Sequence, residues 1–439
     1  MKKRVVNKQK IFIFVSILFI VGCIFFYGFR FIYYYKKFNK KSNTGETLDL
    51  LYTKVIKSNE TVTSGDGLYS VGNEYIFKGA NVNNYVLYSG MKWRIIKLNI
   101  DGSVYAVSEN SVNDLMWGTE KSNYKTSQVR KWLNNIGDNT GAFYKNLRNN
   151  AEMLAPVTMC LDTVSSISNF KCSEKIINDF VGLLSVSDYT MTMVNDATFL
   201  NNNSEFWLVS MLDSDKAWMI KNGNFSNDDI TDSYGIRPTI TLSNTVAYYK
   251  GSGTLEDPYI IEDGDSLDVG EYVKLGDDIW VVYESLDSNV RLALNGYYSD
   301  GSITAPFGTK SSYDNTKSGE IGYWLNNDYY NSLSYKNLIV SNDWYNGQYK
   351  GDITDVYSSK VKSYVGMLGI NDIKLNLENS NYYLMTEGRE NKVFAYDLSG
   401  YLYESTFSQN RKVRPAITIK NSGIKSGSGT LEDPYILEG

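Results

Sequence analysis

The chain opens on five basic residues, Lys2, Lys3, Arg4, Lys8 and Lys10, followed by an uncharged apolar run from Ile11 to Phe29. At about 1.5 Å per helical residue such a run nearly spans a hydrocarbon core of ~30 Å. Arg30 stops it, and Phe31 to Tyr35 with Lys36 and Lys37 supply an interfacial belt. The pattern predicts a transmembrane helix within an N-terminal anchor over 1–37. Polar residues dominate 38–65, which reads as a stalk. Beyond it the periodicity shortens. Met91 to Asn99, Asp101-Gly102 and Val104 to Ser108 read as strand, turn and strand. Ser127 to Leu133 reads as a short helix with Ser127 as N-cap and Val129, Trp132 and Leu133 on one face. Phe206 to Val209 and Ala217 to Ile220 read as further strands, as do Tyr382 to Met385 and Val393 to Tyr396.

The later part of the chain repeats the earlier part. Gly251 to Ile260 recurs letter for letter as Gly427 to Ile436. Ile236 to Leu242 matches Val413 to Ile419, Lys131 to Asn135 matches Tyr323 to Asn327, and Lys92 to Ile96 matches Ile279 to Tyr283. Val71-Gly72 with Tyr75, and Val269-Gly270 with Tyr272, are taken as the openings of the two units. Landmarks kept in one order mark duplicated domains, placed at 66–262 and 264–439. The expected class is α+β: a transmembrane helix, then two tandem domains of short antiparallel sheets with one or two helices each.

Composition narrows the chemistry. Histidine is absent, which removes Ser-His-Asp and Cys-His catalysis within the chain and the commonest transition-metal ligand. Residues 1–41 hold ten Lys or Arg and no acid, leaving 34 basic against 49 acidic residues. So acidic a remainder repels phosphate backbones, so nucleic acid is not an expected partner. Cys160 and Cys172 either pair in an exported domain or remain free thiols. Cys23, after Ile20-Val21-Gly22, offers lipoprotein processing as the alternative to an uncleaved anchor; both place the bulk of the chain outside the cell membrane.

The hairpin carrying Trp93, the 127–134 helix, Leu183-Leu184-Ser185, Phe206 to Ser210, the Trp218 strand ending in Asn222-Gly223, and Gly235 to Pro238 together resemble a family of Firmicutes surface domains of unknown function. That family has a C-type-lectin-like fold related in shape to the formylglycine-generating enzyme. The resemblance covers most of 66–245 and, more loosely, 264–420. It implies variable loops presented on a compact scaffold, suited to binding a glycan, a cell-wall polymer or a protein. The oxidase chemistry of the related enzymes is not carried over: Cys160 and Cys172 precede the matching strands, and the second copy has no cysteine.

Trp93, Trp132, Trp280 and Trp324 occupy apolar positions of repeated elements and are expected to fill cores. Arg237 and Arg414, each followed by proline, need a carboxylate or carbonyl partner, and a structural ion pair on an edge strand or bulge is expected. The Gly251 to Tyr259 motif reads as a module-closing turn. Asp213/Asp215, Asp228/Asp229/Asp232 and Asp263/Asp265/Asp268 complete no calcium loop and read as solvated acids; no metal or cofactor is expected. The loops that differ most between copies, 110–126 against 296–320 and 137–180 against 328–364, carry Trp117, Tyr124, Trp344 and Tyr345, the expected ligand contacts. The sequence thus points to a non-catalytic binding protein, with a carboxylate enzyme of the cell envelope or a structural spacer as alternatives.

Overall fold

The computed structural model describes residues 48–134, 143–168, 172, 175–176, 179–262, 267–285, 288–374, 377, 381–421 and 423–437. The anchor expected over 1–37 lies outside them. Among the described residues no helix is long and apolar enough to cross a membrane. The expected stalk needs correcting from residue 48 onward. Leu51–Ser58 is a helix whose Leu51 and Val55 are buried in the first core, and the Leu51 amide donates to the Val246 carbonyl. Apolar residues four apart give that segment one buried face.

The architecture is mostly antiparallel sheet with few helices. In the first copy the main sheet runs in the order Gly67–Val71, Glu74–Lys78, Met91–Leu98, Val104–Ser108, Pro238–Leu242, Val181–Leu183. Tyr85–Tyr88 pairs with Met91–Leu98 on a side branch. The second copy has Tyr272–Leu275, Asp278–Ser285, Asn289–Leu294, Ala416–Lys420, Val365–Gly366. Each copy adds a three-stranded meander: Phe206–Met211, Lys216–Lys221 and Asn224–Asp229, against Tyr383–Glu387, Lys392–Tyr396 and Leu402–Thr406. The topology is therefore duplicated, and each copy has its own hydrophobic core.

Strand register corrects the expected opening alignment. Val86 faces Trp93 as Val273 faces Trp280, so Tyr272 corresponds to Tyr85 rather than Tyr75. The Gly67–Lys78 hairpin is an addition to the first copy.

Local chemistry explains why certain letters recur. Asn134, at the end of the Gln128–Asn134 helix, accepts from the Phe180 and Val181 amides and donates to the Val181 carbonyl. Asn326 does the same with Tyr364 and Val365. Each asparagine clips the helix to the neighbouring strand through three hydrogen bonds. In the closing turn, a Cβ on Gly251 would meet the Pro258 carbonyl oxygen at 1.9 Å, and one on Gly427 the Pro434 oxygen at 2.3 Å. Both sit at positive φ, so glycine is required there. The Gly253 carbonyl accepts from the Tyr85 amide, and the Gly429 carbonyl accepts from Tyr272.

The copies pack on each other through the first copy's helix. Gln128 Oε1 accepts from the Ile353 amide at 2.6 Å, and Trp132 Nε1 donates to the Asn371 carbonyl at 2.9 Å. Lys131 pairs with Asp352 and Lys374 with Asp114. Near the chain's passage from one copy to the other, Arg148 Nε and Nη2 donate to Asp268 at 3.1 and 2.6 Å, with Glu262 Oε1 3.9 Å from Nε.

Candidate functional site

The structure redistributes the expected ligand contacts. Trp117, Tyr124 and Trp344 are buried in the cores, so the expectation of loop-displayed rings fails for them. Their polar sequence context misleads because the indoles find backbone partners: Trp117 Nε1 donates to the Leu208 carbonyl and Trp344 Nε1 to that of Ser363. Only Tyr345 is exposed, at 41 %. Trp93, Trp132 and Trp280 fill cores as expected, whereas Trp324 is half-buried between Tyr298 and Tyr329.

Arg237 is buried, but carbonyls and an aromatic ring take the place of the expected carboxylate. Its Nε donates to Ser108 O and Nη1 to Leu200 O, and the guanidinium lies 4.7 Å from the centre of the Phe206 ring. Burial pushes its pKa down to about 10. Arg414 lies between the Tyr297 and Tyr382 rings. Arg237 sits where the chain passes from Ser233–Ile236 in one sheet to Pro238–Leu242 in another, and Pro238 begins an internal strand rather than an edge strand.

Cys160 and Cys172 form a disulfide with their Cα atoms 5.6 Å apart. Carboxylate oxygens of Asp228, Asp229 and Asp232 lie within 4.8 Å of one another, with Asp228 accepting from the Tyr234 hydroxyl. Asp263 and Asp265 lie outside the described residues, and Asp268 is the Arg148 partner.

The most developed site arises from a motif that the sequence reading missed in part. Val181 to Asp188 and Val365 to Asp372 are equivalent segments. Val209 donates to the Leu184 carbonyl as Met385 does to Leu368. The Val186 amide reaches Ser210 Oγ and the Ile370 amide reaches Thr386 Oγ1, both at 3.1 Å. Asp188 accepts from the Ser185 amide and Asp372 from the Gly369 amide, at 2.8 and 2.7 Å. In the first copy Asp188 caps the Val186–Met191 helix, with the Tyr105 hydroxyl beside it. In the second copy no helix forms there among the described residues. Ile370 to Lys374 instead lies along the first copy, where the Ile370 carbonyl accepts from Asn113 and the Lys374 amide donates to Val112 O.

Cross-strand register identifies a second change. Lys97 faces Tyr105 in the first copy, and Glu284 faces Arg291 in the second. The second copy therefore places an acid–arginine pair, 3.2 Å apart, where the first has a tyrosine. The result is a cavity of two lobes of about 30 Å³ each. Both lobes share Arg291, Tyr345, Tyr357, Asn371 and Asp372. One lobe adds Tyr283, Glu284 and, from the first copy, Asn146. Asp372 is surrounded by protein but keeps part of its surface open to the cavity. Burial pushes its carboxyl up to about 7, opposed by the Gly369 amide and by Arg291.

Five atoms lining this cavity are buried without a hydrogen-bond partner: Asn146 Oδ1, Tyr283 Oη, Glu284 Oε2, Arg291 Nε and Asn371 Oδ1. Glu284 Oε2 touches Arg291 without hydrogen-bond geometry. Arg291 lies near enough to favour ionised Tyr283, again without the geometry of a bond. Buried polar atoms are rarely left unpaired, so such a concentration marks a place built for small polar occupants. The signal in the sequence was the charge at Arg291 inside an otherwise apolar repeated strand. Comparison with protein-family models, curated proteins and solved structures finds no match to this chain.

Proposed function

We propose that the protein is a membrane-anchored, extracellular binding protein in which two lectin-like copies act as one unit and the second copy holds the ligand site. The observation that carries this reading is the cavity beneath Tyr345, whose unpaired buried groups cluster in the second copy and reach across to the first. Two aromatic pairs on the same copy, each with one exposed ring (Tyr345 and Tyr364), support it. Tyr345 meets Tyr357 edge-on at 4.7 Å, and Tyr364 stacks on Tyr330 at 4.5 Å. Such rings suit sugar faces or peptide side chains.

The carboxylate-enzyme alternative is favoured by Glu284 and Asp372 lining one cavity. However, lobes of about 30 Å³ each hold a water-sized group or two, which is too little for a sugar ring to enter between two catalytic acids. The test is a binding screen of the full chain against cell-wall polymers, glycans and surface proteins, with Tyr345→Ala and Tyr364→Ala beside it. Retention of one polymer class, weakened by either substitution, supports the proposal. Absence of binding to every polymer favours a spacer.

A further inference from the structure

We infer that the Glu284–Arg291–Asp372 cavity receives a primary ammonium group carried on an aliphatic stem. This inference rests on the binding reading above and names the chemistry that the site recognises.

Hydrogen-bond accounting leads to it. The atoms facing the cavity without a proper partner include three acceptors, Asn146 Oδ1, Asn371 Oδ1 and Glu284 Oε2. The Asn371 amide is oriented by its Nδ2, which donates to the Ile353 carbonyl at 3.0 Å, so the oxygen faces the other way. Against these acceptors stand two unpaired donors, Arg291 Nε and the Tyr283 hydroxyl, whose oxygen can itself accept. Acceptors are therefore in surplus, and an ammonium group offers three donors and no acceptor. Tyr283 is 1 % and Arg291 8 % exposed, so neither can turn to solvent for a partner.

Charge and shape agree. Arg291 is balanced by Glu284 and held in place by its bond from Nη2 to the Asp343 carbonyl and by the Trp344 ring. That leaves Asp372 as the acid without a cation of its own inside the cavity. The other charged group nearby is Lys145 of the first copy, an exposed side chain close enough to interact with Glu284. Each lobe matches the size of an ammonium head, which is close to that of a water molecule. Tyr345 and Tyr357 border both lobes and present aromatic faces to a cation and its methylene stem. The first copy lacks the site because Tyr105 stands at the position of Arg291.

The test is titration calorimetry of the folded full chain with n-butylammonium and with a blocked lysine, each compared with its N-acetylated form and with butyltrimethylammonium. Saturable binding of the primary amines, lost on acetylation or trimethylation, is expected. Asp372→Asn should weaken it at least about tenfold, and Tyr345→Ala, at the cavity mouth and outside both cores, should also weaken it. Affinity should fall as pH drops below about 7, where Asp372 takes up its proton. The inference is overturned if the folded wild type takes up neither amine up to their solubility limits. It is also overturned if both variants bind like wild type, or if acetylated and free amines bind alike, as they would if the cavity holds only water. A polymer-binding chain that ignores amines would sink this inference and leave the proposed function standing. Amine binding without any polymer ligand would do the reverse.

Discussion

Acidification from pH 8 to pH 5 should make this protein harder to unfold, because the passage between the copies concentrates buried carboxylates around a single arginine. Arg148 donates from Nε and Nη2 to Asp268. Glu262 has its Oε2 on the Ser89 amide, and Glu271 has its Oε2 on the Asp268 amide, both at 2.6 Å. Tyr88 and Tyr435 are the other titratable groups facing them. Burial, reinforced by the charge of Asp268, pushes Glu262 up to about 7 and Glu271 up to about 8. The unfolded chain releases those protons near pH 4.5. Between roughly pH 5 and 7 the native chain therefore holds protons that the unfolded chain has lost, and stability falls as pH rises. Each net proton is worth about 1.4 kcal/mol per pH unit. Because the three acids interact, only one net proton is counted across them, which gives about 3 kcal/mol over two pH units. Urea denaturation of the full chain at pH 5, 6, 7 and 8 measures this directly. Glu262→Gln and Glu271→Gln should each raise stability at pH 8 and flatten the profile, which separates this cluster from Asp372. A wild-type profile that is flat or climbs from pH 5 to 8, or a Glu271→Gln variant with the wild-type slope, refutes the reasoning.

Three other outcomes are expected. Gln128→Ala strands the buried Ile353 amide at the contact between the copies and should cost about 1–3 kcal/mol, with the single urea transition splitting as the copies uncouple. Asn326→Ala removes three hydrogen bonds to Tyr364 and Val365; hydrogen exchange at those amides should accelerate by an order of magnitude or more, while Phe180 and Val181, held by Asn134, stay protected. Replacing Cys160 and Cys172 together by serine opens a loop closed over 12 residues and should lower stability by up to about 3 kcal/mol, read as a fall in urea midpoint that matches that of the reduced wild type.

The parts of the fold legible in the sequence were those dictated by local pattern. The Met91–Leu98 and Val104–Ser108 hairpin, the helix begun by Ser127 and the closing turns follow from alternation, capping and glycine placement. The duplication was legible too, although the opening alignment slipped because Tyr75 and Tyr85 both follow turn-like segments and only strand register distinguishes them. The contact between the copies was not legible. It joins Gln128 to Ile353 and Trp132 to Asn371, pairs far apart in sequence with no local signature. Trp117 and Trp344 failed as loop-displayed rings for a related reason, whereas Tyr345 is exposed at the cavity. A tryptophan in a polar loop reads as exposed, but a backbone carbonyl supplied from a distant strand lets it bury. Glu284 and Arg291 of the cavity were hidden within scaffold strands, and Asp372 in the turn that follows Val365–Gly366, away from the loops that differ most between the copies.

The closing turn has a consequence for how such a chain can grow. In the first copy Tyr259–Ile260 lies parallel to Tyr85–Tyr88, and in the second Tyr435 bridges back to Val273. The part shared by the two copies thus finishes beside the strand on which it starts, so its entrance and exit share one corner of the sheet. A unit laid out this way can be spliced in, removed or reordered in a gene without pulling a sheet apart. Two units in this chain are then one length in a series that unequal recombination can extend or shorten, one whole unit at a time.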